Sequence, residues 1–109
     1  NIIREVERSI LGGLMDLAIL SMLYHDGGPA SGYDVIKYLH RRFGFLPSAG
    51  LVYSHLYGLE RESLLSGWSN GRKRVYSLTQ RGKEKSKMIV NAGDRISKFV
   101  SIILQKDGC

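Results

Sequence analysis

The stretch Ser48-Ala49-Gly50-Leu51-Val52-Tyr53-Ser54-His55-Leu56-Tyr57-Gly58-Leu59-Glu60-Arg61-Glu62-Ser63-Leu64-Leu65 decides the fold. Ser48 is a side-chain cap for a helix running to about Leu65, and Pro47 before it keeps the preceding helix from resuming. When its residues are placed at intervals of about 100°, Val52, Leu56, Leu59 and Ser63 fall within about 40° of one line. That line is the expected buried face. On the opposite side stand Gly50, Ser54, Tyr57, Gly58 and Arg61, with Tyr53 on the flank. An ordinary solvated helix face mixes Glu and Lys. This one is small, hydroxylated, aromatic and cationic.

Upstream, Ile10 to Tyr24 is apolar nearly all round, which predicts a central, buried helix with Ser9 able to cap it. Gly12-Gly13 costs about 1 kcal/mol per glycine relative to alanine in a helix interior. Either that helix firms up only after Gly13, or a neighbour packs closely there. His25-Asp26-Gly27-Gly28-Pro29 is a turn cluster. Ser31 opens a second helix with Asp34 in a capping-box position, Ile36, Leu39 and Phe43 form its apolar stripe, and Gly44 ends it.

Downstream, Leu65 to Ser69, the turn Asn70-Gly71 and Arg72 to Thr79 read as a hairpin, because Asn-Gly tolerates the positive φ of a tight turn. Thr79 then caps a long helix from about Gln80 to Leu104, roughly 37 Å at 1.5 Å per residue. It is polar from Arg81 to Lys87. Beyond that, Ile89, Ala92, Ile96, Phe99, Val100, Ile103 and Leu104 recur at three- and four-residue spacing. The expected fold is mainly α: a winged helix-turn-helix of three helices plus a two-stranded wing over residues 9–79, followed by a long C-terminal dimerisation helix over 80–104.

In this arrangement the third helix is the one that enters the major groove of double-stranded DNA. Gly50 keeps its surface low, Tyr53, Ser54, Tyr57 and Arg61 reach towards bases or phosphates, and Ser48 marks a helix N-terminus that can present N–H groups to a phosphate. Asn70, Gly71, Arg72 and Lys73 at the wing tip, with Arg74 behind them, would lie along the sugar-phosphate backbone. Charge supports this. The chain of 109 residues carries a net +6, and Arg72 to Lys87 alone holds seven basic residues against Glu84. The bland alternative for such a run is a solvated face.

Three of these segments together resemble the PadR family of transcriptional regulators: Ser31-Gly32-Tyr33-Asp34, then Tyr53 to Leu65, then Arg74-Val75-Tyr76-Ser77-Leu78-Thr79-Gln80-Arg81-Gly82. The similarity runs from near Ile10 to about Lys83. It implies a winged-helix dimer that usually represses transcription, with the C-terminal helix pairing with the partner subunit. Two positions depart from the family pattern. Ser54 stands where proline often follows the tyrosine, and Ser63 stands where glycine usually precedes the paired aliphatics. The C-terminal part, read as a single helix, makes this a compact member.

The apolar stripe of the last helix independently calls for a second chain. A small three-helix domain covers only part of such a rod, and each large side chain left wet forfeits about 1.5–3 kcal/mol. A two-fold pair would set two recognition helices roughly 34 Å apart on a near-palindromic operator. A small-molecule effector at that two-chain interface is a further expectation. The competing readings are a non-specific architectural nucleic-acid binder and a winged-helix protein-interaction module.

Other classes lack their residues. His25, His40 and His55 are scattered with no ligand spacing, so no metal is expected, and His55 reads as a packing or hydrogen-bonding residue. No catalytic triad pattern, phosphate loop or HExxH occurs, so neither enzyme chemistry nor a cofactor is expected. The longest apolar run is too short and interrupted for a membrane span, and a signal-peptide pattern is missing. Cys109, the lone cysteine, suits a reducing, cytoplasmic setting and reads as a free thiol, an intersubunit disulfide being the alternative.

Overall fold

A computed structural model describes residues 1–108; the reading of Cys109 lies outside them. The element order is α1 (Ile2–Gly13), α2 (Met15–Asp26), β1 (Ala30–Ser31), α3 (Gly32–Phe43), α4 (Ala49–Arg61), β2 (Leu65–Asn70), β3 (Lys73–Leu78), α5 (Gln80–Asn91) and α6 (Gly93–Ile103). Helices α2, α3 and α4 with the β2–β3 hairpin form the winged helix-turn-helix that the sequence predicts. The core lies where they meet. Ile19, Leu20 and Leu23 of α2, Val35 and Leu39 of α3, and Val52, Leu56 and Leu59 of α4 are all buried, and Leu64, Leu65 and Tyr76 close it from the sheet side.

Local chemistry explains the helix limits. Asp34 N–H donates to the Ser31 hydroxyl (3.1 Å) and Ser31 N–H to the Asp34 carboxylate (3.0 Å), a complete capping box. Gly44 then ends α3 in the left-handed region. Ser48 caps α4 by accepting from Leu51 N–H at 3.1 Å, and Thr79 caps α5 by accepting from Gly82 N–H at 3.0 Å.

Five details differ from expectation. The helix expected over Ile10–Tyr24 with a Ser9 cap is two helices. An additional α1, capped by Asn1, runs to Gly13, and Leu14 (φ −111°, ψ 22°) leaves helical geometry before α2 begins. A Cβ at Gly12 or Gly13 would meet nothing within 4 Å, so a break rather than close packing accounts for the glycine pair. Second, α4 stops at Arg61, not near Leu65. Ser63 adopts φ 62° and is exposed, so it is not on the buried face, whereas Leu64 and Leu65 turn inward.

Third, the sheet has three strands in the order β1-β3-β2, because Ala30 and Ser31 pair antiparallel with Tyr76 and Val75. Two residues are too short a run for any periodicity to reveal. Fourth, Asn70 pairs with Lys73, so the two loop residues are Gly71 and Arg72 rather than Asn70 and Gly71. Only the first of them needs positive φ, which Gly71 (68°) supplies. Finally, the single helix expected over 80–104 is α5 and α6, interrupted at Ala92 (φ −97°, ψ 16°). Asn91 and Gly93 flank that point, and both are weak helix formers.

Candidate nucleic-acid interface

Helix α4 is held from behind and bare in front. Val52, Leu56 and Leu59 anchor its back in the core, while Ser48, Gly50, Ser54, Tyr57 and Arg61 are exposed. His55 adds a polar tether: its Nδ1 lies 2.7 Å from Asp16 Oδ1 on α2, as suits a hydrogen-bonding residue beside the buried stripe. Tyr53 is only half-buried. Its ring lies against Gly32 at the start of α3, so closely that a Cβ on Gly32 would overlap it, and it stands 6.1 Å from the Tyr57 ring. The Ser31-Gly32-Tyr33-Asp34 motif therefore does two jobs: it caps α3 and leaves room for Tyr53 between the two helices.

Beside α4 projects the β2–β3 wing. Asn70, Gly71, Arg72 and Lys73 at its tip are exposed. Arg74 differs from its neighbours. Its Nη2 donates to Glu60 Oε2 at 2.6 Å and to the Gly67 carbonyl at 3.4 Å, and its guanidinium lies 5.7 Å from the Tyr76 ring centroid. Burial, with the Tyr57 hydroxyl adding to it, pushes the Tyr76 hydroxyl above its ordinary range, while Arg74 opposes the shift. At the other end of the site, the Ser31 backbone N–H chiefly holds the Asp34 carboxyl below its ordinary range. Partial burial opposes that shift, and the Ser31 hydroxyl and Lys37 add to it.

Two contributors carry no motif. Glu60 lies in an ordinary-looking charged run, and its partner is distant in sequence, so only the folded hairpin reveals the pair. Arg4 of α1 donates to the Gly44 carbonyl at 3.3 Å and stacks over Phe45 at 4.0 Å, bracing the turn that leads into α4. Ile3, Val6 and Ile10 stand at helical spacing in the sequence, the one signal for α1. The residues expected in the tail divide: Ile89, Ala92, Ile96 and Val100 are half-buried, and Phe99, Ile103 and Leu104 are exposed. No group of three or more metal-ligating side chains is found among the described residues, and none of their helices is long and apolar enough to cross a membrane.

A short α3, a turn, an α4 with a bare polar front and a cationic hairpin alongside define a winged helix-turn-helix protein. The chain belongs to the PadR-like family of transcriptional regulators, whose model matches residues 19–88. Among solved structures it is similar to a PadR family transcription regulator from Clostridium difficile, with 26% identity, a TM-score of 0.70, and coverage of 84% of this chain and 99% of that one. It is likewise similar to a PadR-like transcriptional regulator from Bacillus cereus, with 23% identity, a TM-score of 0.71, and coverage of 91% and 99%. Bacillus subtilis PadR, solved in complex with operator DNA, shares the fold at 20% identity and a TM-score of 0.61 over 88% of this chain and 50% of that one. No curated protein matches the chain.

Proposed function

We propose that this chain is a cytoplasmic, sequence-specific regulator that binds double-stranded DNA as a homodimer on a near-palindromic operator and represses transcription. The observation that carries this reading is the front of α4. A helix whose back is fixed in the core exposes Gly50, Ser54, Tyr57 and Arg61 together, beside a wing ending in Arg72 and Lys73. That shape and charge suit a major groove flanked by phosphates. That Bacillus subtilis PadR, which shares the fold, is solved in complex with operator DNA supports DNA as the partner.

The two-fold pair rests on apolar surface. Neither α1 nor α6 buries a residue within the protomer. Ile2 is 75% exposed, Phe99 66%, Ile103 68% and Leu104 86%. A patch of this kind marks an interface, and a second copy covers the α1 and α6 stripes of both chains at once. An apolar groove of about 580 Å³, lined by Leu14, Leu17, Phe43, Phe45, Ile89 and Ile96 among others, adjoins these faces. It is where a small apolar effector would bind, and a ligand screen by thermal shift, followed by operator affinity with and without each hit, tests that.

Selection from a pool of random duplexes tests the whole reading. A dyad-symmetric motif with half-sites about one DNA turn apart is the expected result. Salt-sensitive retention of DNA with no enriched motif would replace the regulator with an architectural binder, and indifference to DNA at low salt would replace it with a protein-interaction module.

A further inference from the structure

We propose that Glu60 is a positioning residue for DNA recognition: it latches the wing to the recognition helix and withholds the Arg74 guanidinium from phosphate, so that site preference depends on a carboxylate that touches no DNA. This rests on the DNA-binding reading above.

Three elements meet at the latch. Glu60 stands on the last turn of α4, one residue before the exposed Arg61. Arg74 belongs to β3, and Gly67 to β2. In the hairpin Arg74 is opposite Ser69, while Gly67 is opposite Tyr76. By reaching the Gly67 carbonyl, the Tyr76 ring and Glu60, the Arg74 side chain runs back from the wing tip towards the base of the hairpin. Arg72 and Lys73 remain exposed at the tip.

Gly67 makes this geometry possible. A Cβ there would come within 2.9 Å of Arg74 Nη2 and 3.1 Å of both Glu60 carboxylate oxygens, in the path of the ion pair. The pair is partly covered, with the Arg74 and Glu60 side chains 40% and 29% exposed. A single partly exposed ion pair adds little to stability. Its consequence lies in the angle of the wing, which sets where Arg72 and Lys73 meet the backbone when α4 is seated, and in the removal of one free cation from the DNA-facing side. Phosphate contacts supply affinity without sequence information. A carboxylate that cancels one of them lowers binding to all DNA alike, and the preference for the site rests on the wing angle that the latch fixes.

The test uses the full-length chain, the duplex obtained by random-site selection and a scrambled duplex of equal length, over a range of salt. Glu60→Gln keeps the shape and removes the charge. It is expected to strengthen binding to the scrambled duplex several-fold and to steepen the slope of log K against log salt by about 0.9, the signature of one added phosphate contact. The ratio of selected to scrambled affinity should fall several-fold, because a wing released from α4 no longer fixes where Arg72 and Lys73 meet the backbone. Arg74→Gln should lower the same ratio and leave the salt slope as in the wild type. In the DNA-free protein, anisotropy of the sole tryptophan, Trp68 beside Gly67, should fall in both variants as the wing loosens.

An unchanged ratio and slope in Glu60→Gln would overturn the proposal. So would a slope flattened by about 0.9 in Arg74→Gln, which would make Arg74 a direct phosphate contact. If the wild type shows no site preference, the regulator reading has failed instead, and Trp68 anisotropy still decides whether the latch exists.

Discussion

Gly82→Ala sets local preference against tertiary packing. Gly82 is the third residue of α5, and a methyl group there should by propensity alone stabilise the helix by up to about 1 kcal/mol. The surroundings forbid it. A Cβ on Gly82 would overlap the carbonyl oxygen of Leu64 and come within 3.2 Å of Leu78 Cδ2. The first obstacle is backbone, so no rotamer change relieves it. That carbonyl also accepts the Thr79 N–H at 3.1 Å, while Thr79 Oγ1 donates to the Ser63 carbonyl at 2.7 Å and accepts from Gly82 N–H at 3.0 Å. Pushing Leu64 away loosens the joint that seats α5 against the turn between α4 and the wing. Overpacking costs about 1–3 kcal/mol, the loosened backbone bond about 1 kcal/mol and the disturbed cap about 1 kcal/mol. After the propensity gain, a net loss of about 3 kcal/mol is expected, or a melting temperature lower by roughly 10 °C or more. Urea unfolding followed by far-ultraviolet circular dichroism measures it. Gly50→Ala is the matched control, since a Cβ there meets nothing within 4 Å and should be neutral or stabilising. A Gly82→Ala protein as stable as the wild type would refute the steric reasoning.

Ser63→Gly should stabilise the protein by about 0.5–1 kcal/mol in the same assay, because the left-handed backbone costs a residue with a Cβ about 1–2 kcal/mol and glycine returns part of that as chain entropy; a loss of stability would contradict this. Asp34, whose carboxyl is held below its ordinary range, contributes stability that is full above pH of about 4 and lost as pH falls through the lowered value. The stability gap between wild type and Asp34→Asn, read by urea unfolding, should therefore close below about pH 4, and a gap that widens in acid would reverse the assignment. Arg61→Ala should relax base preference at defined positions, whereas Arg72→Ala should weaken every duplex alike and flatten the salt slope by about 0.9; equal losses on matched and mismatched sites in both variants would deny that division. If the proposed dimer forms, Phe99→Glu with Ile103→Glu should leave a folded monomer in sedimentation velocity, and a wild type that sediments as a single subunit at micromolar concentration would remove the dimer altogether.

Short-range physics made much of this protein legible in its residues alone. Caps at Ser31, Ser48 and Thr79, the stop at Gly44 and the spacing of Val52, Leu56 and Leu59 depend on neighbours within a turn or two, so they state α3, α4 and the start of α5 without reference to the rest of the chain. The bare front of α4 was readable for the same reason, since helical geometry fixes which residues share a face.

What tertiary structure decided depends on partners far apart in the chain. Ala30-Ser31 is a strand only because β3 offers it an edge, and Arg74 reaches back along the wing only because the hairpin brings it to Glu60. Ser63 turns left-handed where α4 gives way to the wing, and α1 finds its place through Phe45 and the Gly44 carbonyl. Contacts of this range depend on where the folded chain brings its segments, and a local pattern of side chains holds no record of that.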